Sequence, residues 1–158
     1  MQNIVIVCED KDLRKDVSKV LGKELGFLYA DVDDILDYEL LNSAGIALTD
    51  ANNRLRELEQ KSIKRALEFK NCIITMSRNL FVANDNFLML NDRFKIFLSI
   101  SKPHFIARLK NKDKLLLEQE ILMFDKINKL LELNCDFKIE NISNNINEIS
   151  NKILEKIK

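Results

Sequence analysis

The chain is poor in the residues that punctuate, staple or arm a protein. Its 158 residues hold three glycines, one proline, three cysteines, one histidine and no tryptophan. With so few breakers, secondary structure has to be read from hydrophobic periodicity. Cys8, Cys72 and Cys135 are odd in number, far apart and without a CxxC pair, which supports neither a zinc site nor a disulfide framework. They read as buried free thiols of a reducing compartment. His104 follows Pro103 at an expected helix start, and Cys8 has no nearby histidine to activate it, so nucleophilic chemistry has little support. Charge of one sign is missing too: 25 basic and 25 acidic residues cancel and no strong basic block stands out, which leaves a nucleic-acid partner without an electrostatic footprint. The opening MQNIVIVCEDK has only five consecutive apolar residues before its acids. That is too short for a signal peptide and far too short to span a bilayer, so the expected location is cytoplasmic, with no membrane partner.

The length fits one domain, large enough for a core without disulfide or metal staples. Asn3–Val7 is a short β-branched run, read as a buried strand, and Leu13, Val17, Val20, Leu21 and Leu25 then share one face at helical spacing. FLYAD, NCIITM, FKIFLSI and the shorter DFKIE supply four more strands. Between and after them DILDYELL, NNRLRELEQKSIKRALEF, HFIARLK, KLLLEQEILMFDKINKLLEL and NISNNINEISNKILEKI read as helices, the last amphipathic. Strands alternating with helices argue for an α/β fold: three αβα layers around a central five-stranded parallel sheet covered on both faces. Sites in such a sheet lie at the carboxyl ends of the strands. Four stretches sit there: Cys8–Lys15, Asp31–Asp34, Met76–Asn79 and the segment after Ile100.

Taken in order, these stretches resemble the shikimate kinase family, of the nucleoside-monophosphate-kinase-like P-loop group, over nearly the whole chain. The family runs strand, GxxxxGK[ST] loop, helix, then a strand ending in DxD; here NIVIV, CEDKDLRK, the first helix and YADVD follow with no gap needed. Its FRxxE is matched by LRELE, with Leu55, Arg56 and Glu59 in place, its strand and GGG turn by IITMSRN, and its later strand, helix and lid by IFLSISKPHFIARLKNKDKLLL. The resemblance implies one domain with a reduced lid at about 111–122. It also implies a substrate pocket for shikimate or another small hydroxy acid, in which Asp33 accepts hydrogen bonds from hydroxyls, Arg56 pairs bidentately with a carboxylate and Arg78 lies beside the substrate. Asp31 would lie nearer the metal side, and ATP with magnesium would be the cofactors. The plain alternative is that Asp31 and Asp33 cap the next helix and Arg56 pairs with a neighbouring glutamate.

The nucleotide half departs from the family almost completely. A phosphate loop uses glycines so that several backbone N–H groups converge on one anion at a helix N-terminus, with a lysine on the phosphates and a hydroxyl on Mg²⁺. Here Cys8 and Leu13 replace the defining glycines, Lys11 replaces a further one, Arg14 stands at the lysine and Lys15 at the Ser/Thr. Glu9, Asp10 and Asp12 add carboxylates. One like-charge pair at roughly 5 Å and an effective dielectric near 20 costs about 3 kcal/mol before screening. Asp10 or Asp12 is expected to cap the helix itself and take the anion position from within. The GGG turn has become Ser77-Arg78-Asn79, the lid arginine is replaced by Lys114, and the late substrate arginine has only Lys126 or Ile127 nearby.

The expectation is therefore a shikimate kinase-like protein that has lost ATP-dependent phosphoryl transfer and keeps part of a substrate pocket. Two alternatives stand beside it. Arg14, Lys15, Arg78 and Lys114 would make an altered phosphate clamp in a working enzyme, or else are ordinary solvated cations. Alternatively, the fold serves as a non-catalytic scaffold, a monomer or the companion of an unknown protein, with the charged NNRLRELEQKSIKRALEFK helix as a surface.

Overall fold

The computed structural model describes residues 2–43, 51–109, 113–141 and 144–158. Five strands, β1 (Ile4–Val7), β2 (Leu28–Asp31), β3 (Cys72–Met76), β4 (Phe94–Ser99) and β5 (Phe137–Glu140), form one sheet in the order β2-β3-β1-β4-β5. All four pairings are parallel. The expected three-layer αβα architecture is what is found. Helices α1 (Lys11–Leu25), α2 (Val32–Asn42), α3 (Ala51–Leu67), α4 (Arg78–Val82), α5 (Lys102–Arg108), α6 (Lys114–Asn134) and α7 (Ile146–Ile157) make the connections.

Strand alternation divides the core into two layers. Ile4 and Ile6 point with Ile73 and Ile96 toward Val17 and Leu21 of α1 and Ile149 and Ile153 of α7. Val5 and Val7 point the other way, with Ile74 and Met76, onto Ile63 of α3, Phe81 of α4 and Leu131 of α6. The sheet's continuous β-branched runs follow from burial on both faces.

Helix starts follow the sequence's few capping residues. Asp10, Asp31, Ser77, Ser101, Asp113 and Asn145 each accept from a backbone N–H in the first turn of the helix that follows. Helix α1 ends at Gly26, whose φ of 68° is the left-handed cap that glycine adopts without strain.

Two differences from the sequence reading stand out. Residues 78–90, given no element, form α4 and an irregular 3-10 segment, Ala83–Leu90, interrupted at Asn84 and Asp85 with φ of 49° and 56°. Phe81, Asn86 and Leu90 are buried there at no single period, so periodicity had nothing to register. The closing helix begins only at Ile146, after the left-handed Asn144 and its neighbour Asn145, whose side chain caps it. Of the expected lid, residues 111 and 112 lie outside the described residues, and Asp113–Leu122 are the cap and opening turns of α6. Among the described residues no helix is long and apolar enough to cross a membrane.

Candidate functional site

The carboxyl ends of β1, β2 and β3 meet above the start of α1. Arg14, one turn into that helix, points inward and is 2% exposed. Its Nε donates to Asp31 Oδ2 at 2.7 Å, its Nη1 to the Cys8 carbonyl at 3.1 Å, and its Nη2 lies 3.4 Å from both Asp31 Oδ1 and Asp33 Oδ2. Asp31, at the end of β2, also accepts from Thr75 Oγ1 of β3 at 2.6 Å and from the Asp34 N–H at 3.1 Å. Burial would raise the Asp31 carboxyl, but hydrogen bonds from Arg14 and Thr75 outweigh it and hold it below its usual 3.8. Burial likewise opposes the charge on Arg14, and the Asp31 carboxylate more than restores it, so its pKa is raised.

Asp33 accepts from the Ser77 backbone N–H at 2.7 Å and the Ser77 hydroxyl at 2.8 Å. The two carboxylates of YADVD thus have separate tasks: Asp31 caps α2 and neutralises Arg14, while Asp33 ties α2 to the turn after β3.

The family resemblance implies an Arg78 that lies beside the substrate. It is instead the first residue of α4 and 3% exposed. Its guanidinium carbon lies 4.6 Å from the Phe124 ring centroid and 5.2 Å from that of Phe105. The same group donates to Asn128 Oδ1 at 2.6 Å and to Glu9 Oε2 at 3.3 Å. Glu9 in the loop is thereby matched by a cation from α4.

Of the other charged loop residues, Asp10 and Lys11 have side-chain or cap partners, while Asp12 is exposed in the first turn of α1 and is not the cap. Asp10 accepts from the Leu13 N–H at 3.1 Å, and its other carboxylate oxygen is 3.8 Å from His104 Nε2. Lys11 is paired with Asp34 on the surface, which raises its pKa. Lys15 and Lys114 are exposed. Cys8 is fully buried, and desolvation pushes its thiol up to about 12, which leaves it inert.

The structure therefore brings Arg14, Asp31 and Asp33 together and places Arg78 close by through Ser77. It does not join Arg56 to them: that residue is exposed on α3 and makes no ion pair among the described residues. Glu59, its companion in LRELE, is buried and accepts from Asn86 Nδ2 at 3.2 Å, so it anchors the irregular segment. Ile127 belongs to the core and Lys126 is exposed.

A sequence profile described as shikimate kinase matches residues 15–158. The chain belongs to the shikimate kinase family. A shikimate kinase of Sulfurihydrogenibium sp. is 28% identical over 167 aligned residues, covering 100% of this chain and 99% of the relative. Among solved structures, shikimate kinase of Bacteroides thetaiotaomicron superposes with a TM-score of 0.75 at 16% identity, covering 99% of this chain and 98% of the other. The Acinetobacter baumannii enzyme, in complex with shikimate, gives 0.75 at 16% identity over 99% and 93% of the two chains. At that identity these structures establish the fold alone.

The α1 start already holds a carboxylate, that of Asp10, on its Leu13 N–H. Asp31, the metal-side residue that the family pattern implies, is filled by three donors. No cluster of three or more His, Cys, Asp or Glu suited to a metal occurs among the described residues. Of the partners that make this network, Ser77 lay in the expected Met76–Asn79 stretch, whereas Thr75, Asn128, Phe105 and Phe124 were not legible as site residues. Thr75 in an otherwise apolar strand was the one available signal.

Proposed function

We propose that this member of the shikimate kinase family no longer transfers phosphate from ATP, and that its nucleotide position is filled by its own side chains. The observation that carries this is the placement of Arg14. A phosphate-loop cation has to face an incoming anion, whereas Arg14 is buried with its guanidinium on Asp31, Asp33 and the Cys8 carbonyl. Turning it outward would strand Asp31, a buried carboxylate, without its cation. The loop carboxylates support the same reading, because a triphosphate there would meet Glu9 and Asp10 first. The profile match also opens at Lys15, past the loop.

A small hydroxy acid is the ligand class left to this domain. Arg56 is the available carboxylate partner, and Asp33 would have to exchange Ser77 for a ligand hydroxyl. The Acinetobacter relative's complex with shikimate makes shikimate the first compound to try. We take the chain as a single cytoplasmic domain.

Calorimetric titration with ATP-Mg²⁺ and, separately, with shikimate tests the reading. No heat with ATP-Mg²⁺ is expected at concentrations that saturate an intact kinase, and no phosphorylated product should form. Micromolar ATP binding or turnover would overturn it. Shikimate binding alone would mean that the substrate half is retained; silence with both ligands would leave the scaffold role.

A further inference from the structure

Helix α6 is apolar on two sides. Its inner side puts Phe124, Ile127 and Leu131 into the core. Its outer side carries Leu115, Leu116, Leu122, Met123, Leu130 and Leu133, which are 42–80% exposed. At 3.6 residues per turn these six fall within an arc of about 120°, as wide as the stripe that a surface helix ordinarily buries. A helix apolar all round belongs in an interior, yet this outer stripe has no cover among the described residues.

The charges bordering the stripe are complementary to themselves. Glu118, Asp125 and Glu132 recur at seven-residue intervals along one flank. Asp125 is held by Lys102 at 2.9 Å and Glu132 by Lys138 at 2.6 Å, which leaves Glu118 without an ion pair among the described residues. Lys129 borders the same flank three turns further on and is also unpaired among them. Glu120, on the opposite flank, is engaged within the chain. When two identical helices pack antiparallel about a two-fold axis, each flank meets the same flank of the copy. Glu118 then meets Lys129 of the second copy, and Lys129 meets the second copy's Glu118, with the axis beside Met123. A parallel pair would set Lys129 against Lys129.

We propose that the outer stripe of α6 is the interface of a homodimer, in which two copies pack antiparallel and exchange reciprocal Glu118–Lys129 ion pairs. The six apolar residues expose about 600 Å² per chain, so covering them in both copies gives about 1,200 Å², the lower bound for a specific protein pair. Gln119 and Lys126 lie inside the stripe, where their stems pack and their polar ends reach the rim. A lysine at such a position fixes the register at a cost in affinity, which makes the dimer reversible and micromolar. A membrane surface is a poorer cover, because an interfacial helix carries lysine and arginine along its polar flank and this flank carries Glu118, Asp125 and Glu132.

Sedimentation equilibrium of the full chain across the micromolar range tests the interface. The mass should rise with concentration from one chain to two. Leu122→Glu should leave a monomer that unfolds at the midpoint of the dilute native chain. Glu118→Lys and Lys129→Glu should each weaken association about tenfold, because two attractive contacts become repulsive. The double reversal should recover the dimer, and an equimolar mixture of the two single variants should pair more tightly than either variant alone. A monomer at every concentration, a dimer indifferent to Leu122→Glu or to the charge reversals, or folded single variants that fail to pair with each other would each overturn the proposal. So would a monomer that sediments with phosphatidylcholine–phosphatidylglycerol vesicles, which would assign the stripe to a membrane.

Discussion

Replacing Arg14 with methionine separates the two roles that a cation at this position can have. If it awaits phosphate, its removal relieves the apo protein of a charge and leaves stability unchanged or improved. The geometry requires the opposite. Arg14 and Asp31 are both buried and joined at 2.7 Å, and methionine fills much of the arginine volume without replacing its donors. Asp31 would keep Thr75 and the Asp34 N–H but lose the cation bonded to it. Breaking a buried pair from one side costs about 3–5 kcal/mol. For a chain of this size that lowers the melting temperature by about 10 °C.

The pH dependence carries a sign that a packing defect would not produce. In the native protein Asp31 is held below 3.8, so the folded state binds fewer protons than the unfolded one. Its contribution to stability is then fully present above about pH 4 and is lost as pH falls through the depressed value. Without Arg14, burial is opposed only by Thr75 and the Asp34 N–H, so the Asp31 carboxyl rises from its depressed position. The stability that its ionisation contributes above about pH 4 is then reduced, so the penalty of the substitution is largest where Asp31 is ionised and smallest in acid. Urea denaturation of both proteins from pH 3.5 to 7 measures this. Arg14→Met should be least penalised at the acid end, and Arg14→Met/Asp31→Asn should cost clearly less than the two single changes added together. A destabilisation under about 1 kcal/mol with additive single effects would refute the internal pairing, and with it the main support for a filled nucleotide position.

Three further outcomes follow from the same network. Arg78→Ala should lower stability by about 2–3 kcal/mol, since it strips the guanidinium from the adjoining Phe105 and Phe124 rings and removes the partner of Asn128; an unchanged thermal midpoint would show that the stacking carries no weight. Asp10→Ala should cost about 1 kcal/mol as a lost helix cap, read by urea unfolding, and a neutral result would mean that water serves the Leu13 N–H equally well. Burial raises all three thiols, Cys8 and Cys135 to about 12, so a disulfide reagent at pH 8 should react in proportion to unfolding; rapid labelling of native Cys8 would contradict its placement.

The fold was legible because β1 is a continuous apolar run, β3 and β4 are nearly so, and the helices between the strands keep their period. Residues 78–90 were not, because the chain there alternates short helical pieces with two left-handed residues and buries Phe81, Asn86 and Leu90 without a repeat. At the site, the loop's carboxylates and the capping role of an aspartate could be read directly, and Asp10 has that role. What could not be read was direction. Sequence spacing places Arg14 one turn into α1, but whether it reaches outward to an anion or inward to Asp31 depends on Thr75 and Asp33, which come from other strand ends. Arg78 misled for a similar reason: a residue after a strand is exposed unless a helix starts there, and the Ser77 cap that starts one was visible only once Asp33 was seen beside it.

On the proposed reading, the site's electrostatics let a phosphate loop change character without changing the fold. A helix start flanked by strand ends concentrates positive potential, and that potential has to be met by some anion. In a kinase the anion is a ligand, so the loop keeps glycines and an outward cation. Here Asp10 supplies the anion from the chain itself, and this removes the reason for a cation to face outward. Arg14 can then satisfy Asp31, and Asp33 is free to bind Ser77. The groups of the network depend on one another: Glu9 is met by Arg78, and Arg78 is flanked by Phe105, Phe124 and Asn128. Reversing one residue would therefore leave several buried groups unpaired. Restoring lysine at Arg14 alone should destabilise the domain without giving it ATP, because a lysine cannot serve Asp31, Asp33 and the Cys8 carbonyl together.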